Sequence, residues 1–93
     1  GKPFCAHNWG DGSCTLANAA LVAASPNALM LERFETFDPL RTEIFKEPLD
    51  VVDGYMDLPN KPGFGVDLAE NLEEKFPYLP GGYSDRPNPI ICG

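Results

Sequence analysis

Two side chains in this 93-residue chain are suited to proton transfer and to carboxylate recognition. His7 is the only histidine and closes the apolar stretch PFCAH, and Glu32 closes a second apolar stretch, ALMLE. Imidazole gains or loses a proton near neutral pH, so it can act as a general acid or base. A carboxyl group can accept or donate hydrogen bonds, depending on its protonation. The two residues therefore define a candidate acid/base site.

Each of the two residues ends a predicted β-strand. A period of two along residues 3–7 and 28–32 puts His7 and Glu32 on the strand face that the following helix does not cover. Polar side chains at the carboxyl ends of parallel strands are where barrels and open α/β sheets bind ligands. If the strands are parallel neighbours, the tips of the two side chains should lie within about 10 Å of each other.

The segment between the strands predicts a helix over residues 14–24, with Ser13 as its cap and Leu16 on its apolar side. Strand, helix and strand within about thirty residues form a βαβ unit. Its crossover makes the two strands parallel and adjacent. Parallel strands need cover on both faces, which one helix cannot provide, so the unit implies further neighbours.

A purely structural interpretation of the same pair stays open. His7 could be a half-buried histidine bonded to a neighbouring carbonyl, and Glu32 could pair with Arg33 or Arg41. Two residues alone do not decide between this interpretation and an acid/base site.

The second half of the chain predicts shorter elements. A short helix is expected after a cap at Asp38, and a hairpin with a two-residue turn at residues 53–54. A further helix is expected with Asp67 as its cap and Glu70 at the capping-box position. Residues 77–93 are rich in proline and glycine and predict a tail without regular structure.

Composition excludes several classes of partner. The formal net charge is −7, and no cluster of lysine and arginine is present, which argues against nucleic acid and anionic membranes. No apolar run approaches the roughly 20 residues that cross a bilayer. The three cysteines are an odd number without close spacing, which favours a reducing, cytoplasmic compartment over a disulfide framework.

A metal site is also disfavoured by the spacing of the cysteines. Cys5, His7, Cys14 and Cys92 could in principle supply four zinc ligands, but they contain no C-x-x-C pair. We therefore expect no metal ligand within this chain.

The strings AHNWGDG, SPNALMLE and FKEPLDVVDGYMDLPNKPGFGVDL resemble the C-terminal quarter of the mandelate racemase/muconate lactonizing enzyme subgroup of the enolase superfamily. The resemblance covers residues 3–89. Its most specific parts are the histidine of the first strand, the Leu31-Glu32 pair and the segment DGYMDLPNKPGFG, residues 53–65.

The resemblance implies an α/β fold that is the end of a modified (β/α)7β, or TIM, barrel. PFCAH would be the seventh strand, residues 14–24 its helix and ALMLE the eighth strand. Residues 1–45 would belong to the barrel. Residues 46–93, with the hairpin and tail, would return to complete an α+β capping domain.

The resemblance also implies a chemistry. Enzymes of this kind use Mg2+ to remove the proton α to a carboxylate, and then racemise the acid or lose a β-hydroxyl as water. His7 matches the general base or acid, and Glu32 matches the carboxyl group that hydrogen-bonds the substrate carboxylate. Asn8 and Trp9 follow His7 and are expected to bind substrate.

The partner implied is a small carboxylate, an acid sugar, and the full-length enzyme is expected to be a homo-oligomer. The magnesium ligands would lie on earlier strands, so the 93-residue chain is expected to be inactive alone, as a piece of a longer dehydratase or racemase. The alternative is a small acidic, non-catalytic interaction domain. Mg2+-dependent turnover that is lost with His7 would distinguish the two.

Overall fold

The computed structural model describes residues 1–33 and 38–81, and its first half is a parallel βαβ unit. Strand β1 spans Phe4–Ala6, helix α1 spans Gly12–Ala24 and strand β2 spans Ala28–Leu31. The two strands pair in parallel, with Ala6 opposite Leu31 at their carboxyl ends. The βαβ prediction and the parallel pairing are therefore confirmed.

Helix α1 begins earlier than predicted because Asp11, not Ser13, is its N-cap. Asp11 has extended backbone angles, and its Oδ1 accepts hydrogen bonds from the backbone N–H groups of Ser13 and Cys14, at 2.9 and 3.2 Å. Both Asp11 and Ser13 carry a suitable acceptor. The helix begins at Gly12, so Asp11 occupies the N-cap position and Ser13 already lies within the first turn.

The hydrogen bonds of this cap alter the acidity of Asp11. Burial by itself would raise the pKa of its carboxyl group. Hydrogen bonds from the Ser13 hydroxyl and from the N–H groups of Cys14 and Ser13 lower it, as does the positive charge of Arg41. The net result is a pKa below the ordinary value of 3.8. A group whose pKa is lowered on folding stabilises the fold fully above its unfolded value. That contribution is lost as the pH falls below 3.8 through the folded value.

We therefore expect Asp11→Ala to lower the free energy of unfolding by about 1 kcal/mol at pH 7, and by less at pH 3. Asp11→Asn is the matched control, since asparagine caps about as well but does not ionise. It should lose less stability than Asp11→Ala at pH 7, because it keeps the cap and loses only the contribution of the charge. Urea unfolding followed by circular dichroism at both pH values measures this, and equal losses in the two variants at pH 7 would contradict it.

Within residues 1–33 and 38–81, the buried apolar residues are Leu16 and Ala19 of α1 and Ile44, which lies in the segment 39–45. The buried face of α1 is spaced i, i+3, i+4 and i+7 and consists of Gly12, Thr15, Leu16 and Ala19. Helix α2 spans Pro39–Thr42, and Asp38 Oδ1 accepts a hydrogen bond from Leu40 N, as predicted.

Close packing at the start of α1 depends on a glycine. A Cβ at Gly12 would lie 2.9 Å from the Arg41 carbonyl oxygen and 3.3 Å from Ile44 Cδ1. The absence of a side chain therefore lets α1 approach α2 and the buried Ile44.

The predicted hairpin is confirmed. Strands β3 (Val51–Val52) and β4 (Tyr55–Met56) pair antiparallel. Their two-residue turn has positive φ at both positions, 52° at Asp53 and 79° at Gly54. These angles are those of a type I′ turn, whose twist matches that of the flanking strands. An open groove of about 600 Å³ lies between this hairpin, α1 and β2.

The last predicted helix is wrong in its first half. Helix α3 spans only Leu72–Lys75, and its N-cap residue is Asn71, with φ of 58°, not Asp67. The Asp67 carbonyl accepts a hydrogen bond from Lys46 N at 3.0 Å, within an antiparallel bridge between Phe45 and Leu68. Backbone groups used in this bridge cannot begin a helix, so the capping-box pattern does not act.

Several predictions fall partly or wholly on residues 34–37 and 82–93, which lie outside the described residues. They include the start of the segment before Asp38, most of the tail and Cys92. Within the described ranges, no helix is long and apolar enough to cross a membrane.

Candidate active site

The strand register brings His7 and Glu32 together. Each follows directly after the paired residues Ala6 and Leu31, so both lie at the carboxyl edge of the parallel pair. His7 Nδ1 and Glu32 Oε2 are 3.2 Å apart. The predicted proximity is confirmed, and the contact is closer than expected. No further group fits between the two side chains.

The pair is open to solvent. The side chain of His7 is 76% exposed and that of Glu32 is 42% exposed. An ion pair in such a setting adds little to stability, because water screens it and two side chains must be held still. The contact is therefore better suited to orienting the imidazole than to holding the fold together.

Glu32 Oε2 accepts a hydrogen bond from the backbone N–H of Asn8 at 2.6 Å. The same oxygen lies 3.2 Å from His7 Nδ1. A further ligand of Glu32 could bind Oε1 without displacing either contact.

Asn8 lies inside the structure, not on the surface of a pocket. It is fully buried, and its Nδ2 donates to Thr15 Oγ1 at 3.0 Å and to the Glu32 carbonyl oxygen at 2.9 Å. The Asn8 side chain thus forms internal hydrogen bonds, and its expected role in substrate binding stays a prediction. These bonds form because α1 packs over this loop and brings Thr15 to it.

Trp9 lies beside the pair on the outside. Its side chain is 64% exposed, and its ring stacks on that of His7 with centroids 6.1 Å apart. Its carbonyl oxygen accepts a hydrogen bond from Arg41 Nη2 at 2.8 Å, and Arg41 also contacts Asp38. Trp9 is thus held where a ligand of His7 would reach it, and its role in substrate binding stays a prediction.

Two residues of α1 that hold the site were missed in the sequence. Thr15 contacts Asn8, and Asn18 Nδ2 donates to the His7 carbonyl oxygen at 3.3 Å. They are three residues apart and so share one face of the helix. The signal available in the sequence was that these two polar residues lie on the side of the predicted helix that packs against the rest of the βαβ unit.

The described residues do not form a magnesium site. Over residues 1–33 and 38–81, no group of three or more histidine, cysteine, aspartate or glutamate side chains is placed to hold a metal ion. Mg2+ prefers several oxygen ligands. The single His7–Glu32 pair does not meet that requirement.

The βαβ unit and the His7–Glu32 pair together indicate a class of protein. Many α/β enzymes bind their ligands through polar groups at the carboxyl ends of parallel strands, which is where this pair lies. The chain matches the enolase C-terminal domain-like family over residues 1–72, and it belongs to that family. This confirms the resemblance drawn from the sequence.

The chain is similar to several curated enzymes. An arabinonate dehydratase of Saccharolobus solfataricus is 29% identical over 76 residues, which cover 82% of this chain and 20% of that enzyme. A D-galactarolactone cycloisomerase of Agrobacterium fabrum is 28% identical over 78 residues, 75% of this chain and 21% of that enzyme. A D-galactonate dehydratase family member of Pantoea ananatis is 40% identical over 75 residues, 76% of this chain and 17% of that protein.

This chain thus spans about one fifth of the length of the curated relatives that it matches. No solved structure matches it significantly.

Proposed function

We propose that this chain is the end of the catalytic barrel of a Mg2+-dependent enzyme that removes the proton α to the carboxylate of an acid sugar. The observation that carries the proposal is the contact between His7 Nδ1 and Glu32 Oε2, 3.2 Å long, at the carboxyl edge of two parallel strands. Membership of the enolase C-terminal domain-like family supports it, as do relatives named as dehydratases and a cycloisomerase.

In this proposal His7 is the general base. The neutral ring would carry its proton on Nδ1, oriented by the aspartate that the family resemblance places on an earlier strand. The opposite nitrogen, Nε2, then carries the lone pair that accepts the α-proton. The electrons of the broken C–H bond form an enediolate. In a dehydration, the enediolate loses its β-hydroxyl together with a proton, as water, and the resulting enol becomes a 2-keto-3-deoxy acid. In a racemisation, a proton returns to the opposite face of the enediolate.

Glu32 is proposed to hold the substrate through its second oxygen. Oε2 accepts a hydrogen bond from the backbone N–H of Asn8 and lies 3.2 Å from His7 Nδ1, so Oε1 would hydrogen-bond a carboxylate oxygen of the substrate. Two carboxyl oxygens can share a hydrogen bond only when one of them carries a proton. A protonated Oε1 would stabilise the negative charge that develops on the enediolate.

The remaining machinery is proposed to lie elsewhere in a longer enzyme. Residues 1–45 would complete the barrel, and residues 46–93 would complete the capping domain. Mg2+ would be held by carboxylates of other strands, because the described residues supply no cluster for it. Trp9, exposed beside His7, would line the acid-sugar pocket.

Activity of the full-length protein that carries this chain tests the proposal. We expect that protein, with Mg2+, to convert at least one acid sugar from a panel including arabinonate and galactonate into a 2-keto-3-deoxy acid, or to exchange its α-proton with solvent. Product carbonyl and deuterium incorporation in D2O are the measurements. Absence of both reactions with every acid of the panel would contradict the proposed function.

A further inference from the structure

Arg41 is a nearly buried cation that reaches the loop carrying Trp9. Its side chain is 12% exposed, and a guanidinium in that position needs hydrogen-bond partners. Nη2 donates to the Trp9 carbonyl oxygen at 2.8 Å, and Nε donates to Asp38 Oδ2 at 3.3 Å. Hydrogen bonds from a charged donor are stronger than those between neutral groups. Arg41 therefore joins the loop after β1 to the start of α2.

The Asp38 carboxylate has a separate contact for each oxygen. Oδ1 accepts a hydrogen bond from Leu40 N at 3.0 Å and caps α2, while Oδ2 accepts from Arg41 Nε. Capping fixes the carboxylate on the helix, and the carboxylate in turn fixes the guanidinium. Because the guanidinium is planar and rigid, holding Nε also sets the direction of Nη2. The donor that binds the Trp9 carbonyl is therefore oriented by Asp38.

The loop is held from its other side by α1. A Cβ at Gly10 would clash with Cys14 Cβ and Sγ, so the backbone after Trp9 lies directly against the helix. Asn8, which precedes Trp9, is fully buried. Both neighbours of Trp9 are therefore fixed by packing, and Arg41 fixes the Trp9 carbonyl between them.

Burial contributes little to the orientation of the Trp9 indole. The side chain is 64% exposed, and its ring stacks on that of His7 with centroids 6.1 Å apart and planes inclined by 26°. A single contact between two exposed rings is weak, and exposed side chains change rotamer within nanoseconds. The stack therefore depends on a backbone that is already held in place.

We propose that Arg41 is a positioning residue, which acts with Asp38 to hold the loop so that the Trp9 indole stays beside His7. The placement of the ring follows from the contacts alone, whereas its use rests on the proposed function. In that function the apolar face of the indole would pack on the C–H groups of the acid sugar while the reacting carbon meets His7. Arg41 itself would touch no substrate.

The position of the indole can be followed by 19F NMR in the full-length protein that carries this chain, labelled with fluorotryptophan. Trp9 is the only tryptophan of this chain, and its signal is the one that Trp9→Phe removes. We expect that signal to differ from the signal of free fluorotryptophan, because the ring of His7 lies against the indole. It should move in His7→Asn for the same reason.

Two variants remove the support in different ways. Arg41→Met keeps an unbranched side chain of similar packing but loses every donor. Asp38→Asn keeps the cap of α2, since asparagine caps about as well as aspartate, but it loses the second acceptor oxygen. In both variants the Trp9 signal should move toward that of the free amino acid and become narrower, as the ring gains motion. The change should be smaller in Asp38→Asn.

Lys75→Met is the matched control. Lys75 Nζ contacts Glu43 Oε2 at 2.7 Å, an ion pair with the residue that follows α2. Its loss should leave the Trp9 signal unchanged. An unchanged signal in both Arg41→Met and Asp38→Asn, or an equal change in Lys75→Met, would overturn the proposal. A change in Arg41→Met alone would confine the support to Arg41 and refute the part assigned to Asp38.

Kinetics of the full-length protein test whether Arg41 acts through Trp9. Arg41→Met should raise KM by about fivefold and change kcat by less than about twofold, since it removes a binding contact and leaves the base in place. Trp9→Ala should raise KM by at least as much. Because both variants lose the same contact, Arg41→Met should add nothing further in a Trp9→Ala background. Additive effects would show that Arg41 acts elsewhere and would refute the positioning role.

The two readouts distinguish this inference from the proposed function. A displaced Trp9 signal in a protein that reacts with no acid sugar would uphold the placement of the indole and refute the proposed function. A displaced signal with unchanged KM in an active enzyme would refute the use of the indole in substrate binding.

Discussion

Replacement of His7 by asparagine in the full-length protein is expected to lower the rate of α-proton exchange by about 10²–10⁴-fold. The amide of asparagine can form hydrogen bonds but cannot take up a proton at neutral pH, so the step assigned to His7 Nε2 loses its acceptor. Incubation of the substrate in D2O, followed by mass spectrometry of the recovered acid, measures the exchange at the carbon next to the carboxylate.

Two controls make this result specific. Mg2+ binding should be unchanged in His7→Asn, since His7 is not proposed as a metal ligand. Cys5→Ser should retain activity, because Cys5 lies two residues earlier, within β1, is exposed and has no proposed role in the reaction. Deuterium incorporation in His7→Asn at the wild-type rate would exclude His7 as the base.

Replacement of Leu16 by alanine is expected to lower the free energy of unfolding by about 2–5 kcal/mol. Leu16 is 1% exposed and is the largest fully buried apolar side chain among residues 1–33 and 38–81. In those ranges the other buried apolar residues are Ala19 and Ile44, so Leu16 is the largest member of a small core. A small domain has only about 5–15 kcal/mol in total, and the loss would be a large part of it.

Leu21→Ala is the matched control for this stability change. Leu21 lies in the same helix and undergoes the same chemical change, but it is 50% exposed. We expect it to cost under about 1 kcal/mol. Urea unfolding followed at a helix-sensitive wavelength compares the two variants, and similar losses would show that α1 does not pack through Leu16.

The positions of His7 and Glu32 could be predicted because they depend only on the side-chain alternation within each strand and on the helical connection between the strands. A period of two assigned the faces, and a short helical crossover required parallel strands. Those two rules were sufficient to place His7 and Glu32 at the same edge. The hairpin was predictable for the same kind of reason, since the dipeptide Asp53-Gly54 suits the positive φ of its turn.

Predictions failed where contacts distant in sequence competed with a local pattern. Asp67 has the spacing of a helix cap, but its carbonyl is used by Lys46, more than twenty residues earlier in the chain. The burial of Asn8 within its loop was likewise not predicted, while its role in substrate binding stays a prediction. Neither outcome is visible in the residues that surround these positions.

The sequence by itself therefore determined the βαβ unit and the meeting of His7 with Glu32, because backbone periodicity and connection length are local properties of the chain. The family followed from the resemblance of the chain's motifs to those of known enzymes. Only the tertiary structure decided that His7 and Glu32 are in direct contact, that Asn8 is buried beside them and that the Asp67 carbonyl accepts a hydrogen bond from Lys46 N, so that Asp67 does not cap a helix. The physical reason is that a buried hydrogen-bonding group takes the partner that packing brings to it, and that partner can lie anywhere along the chain.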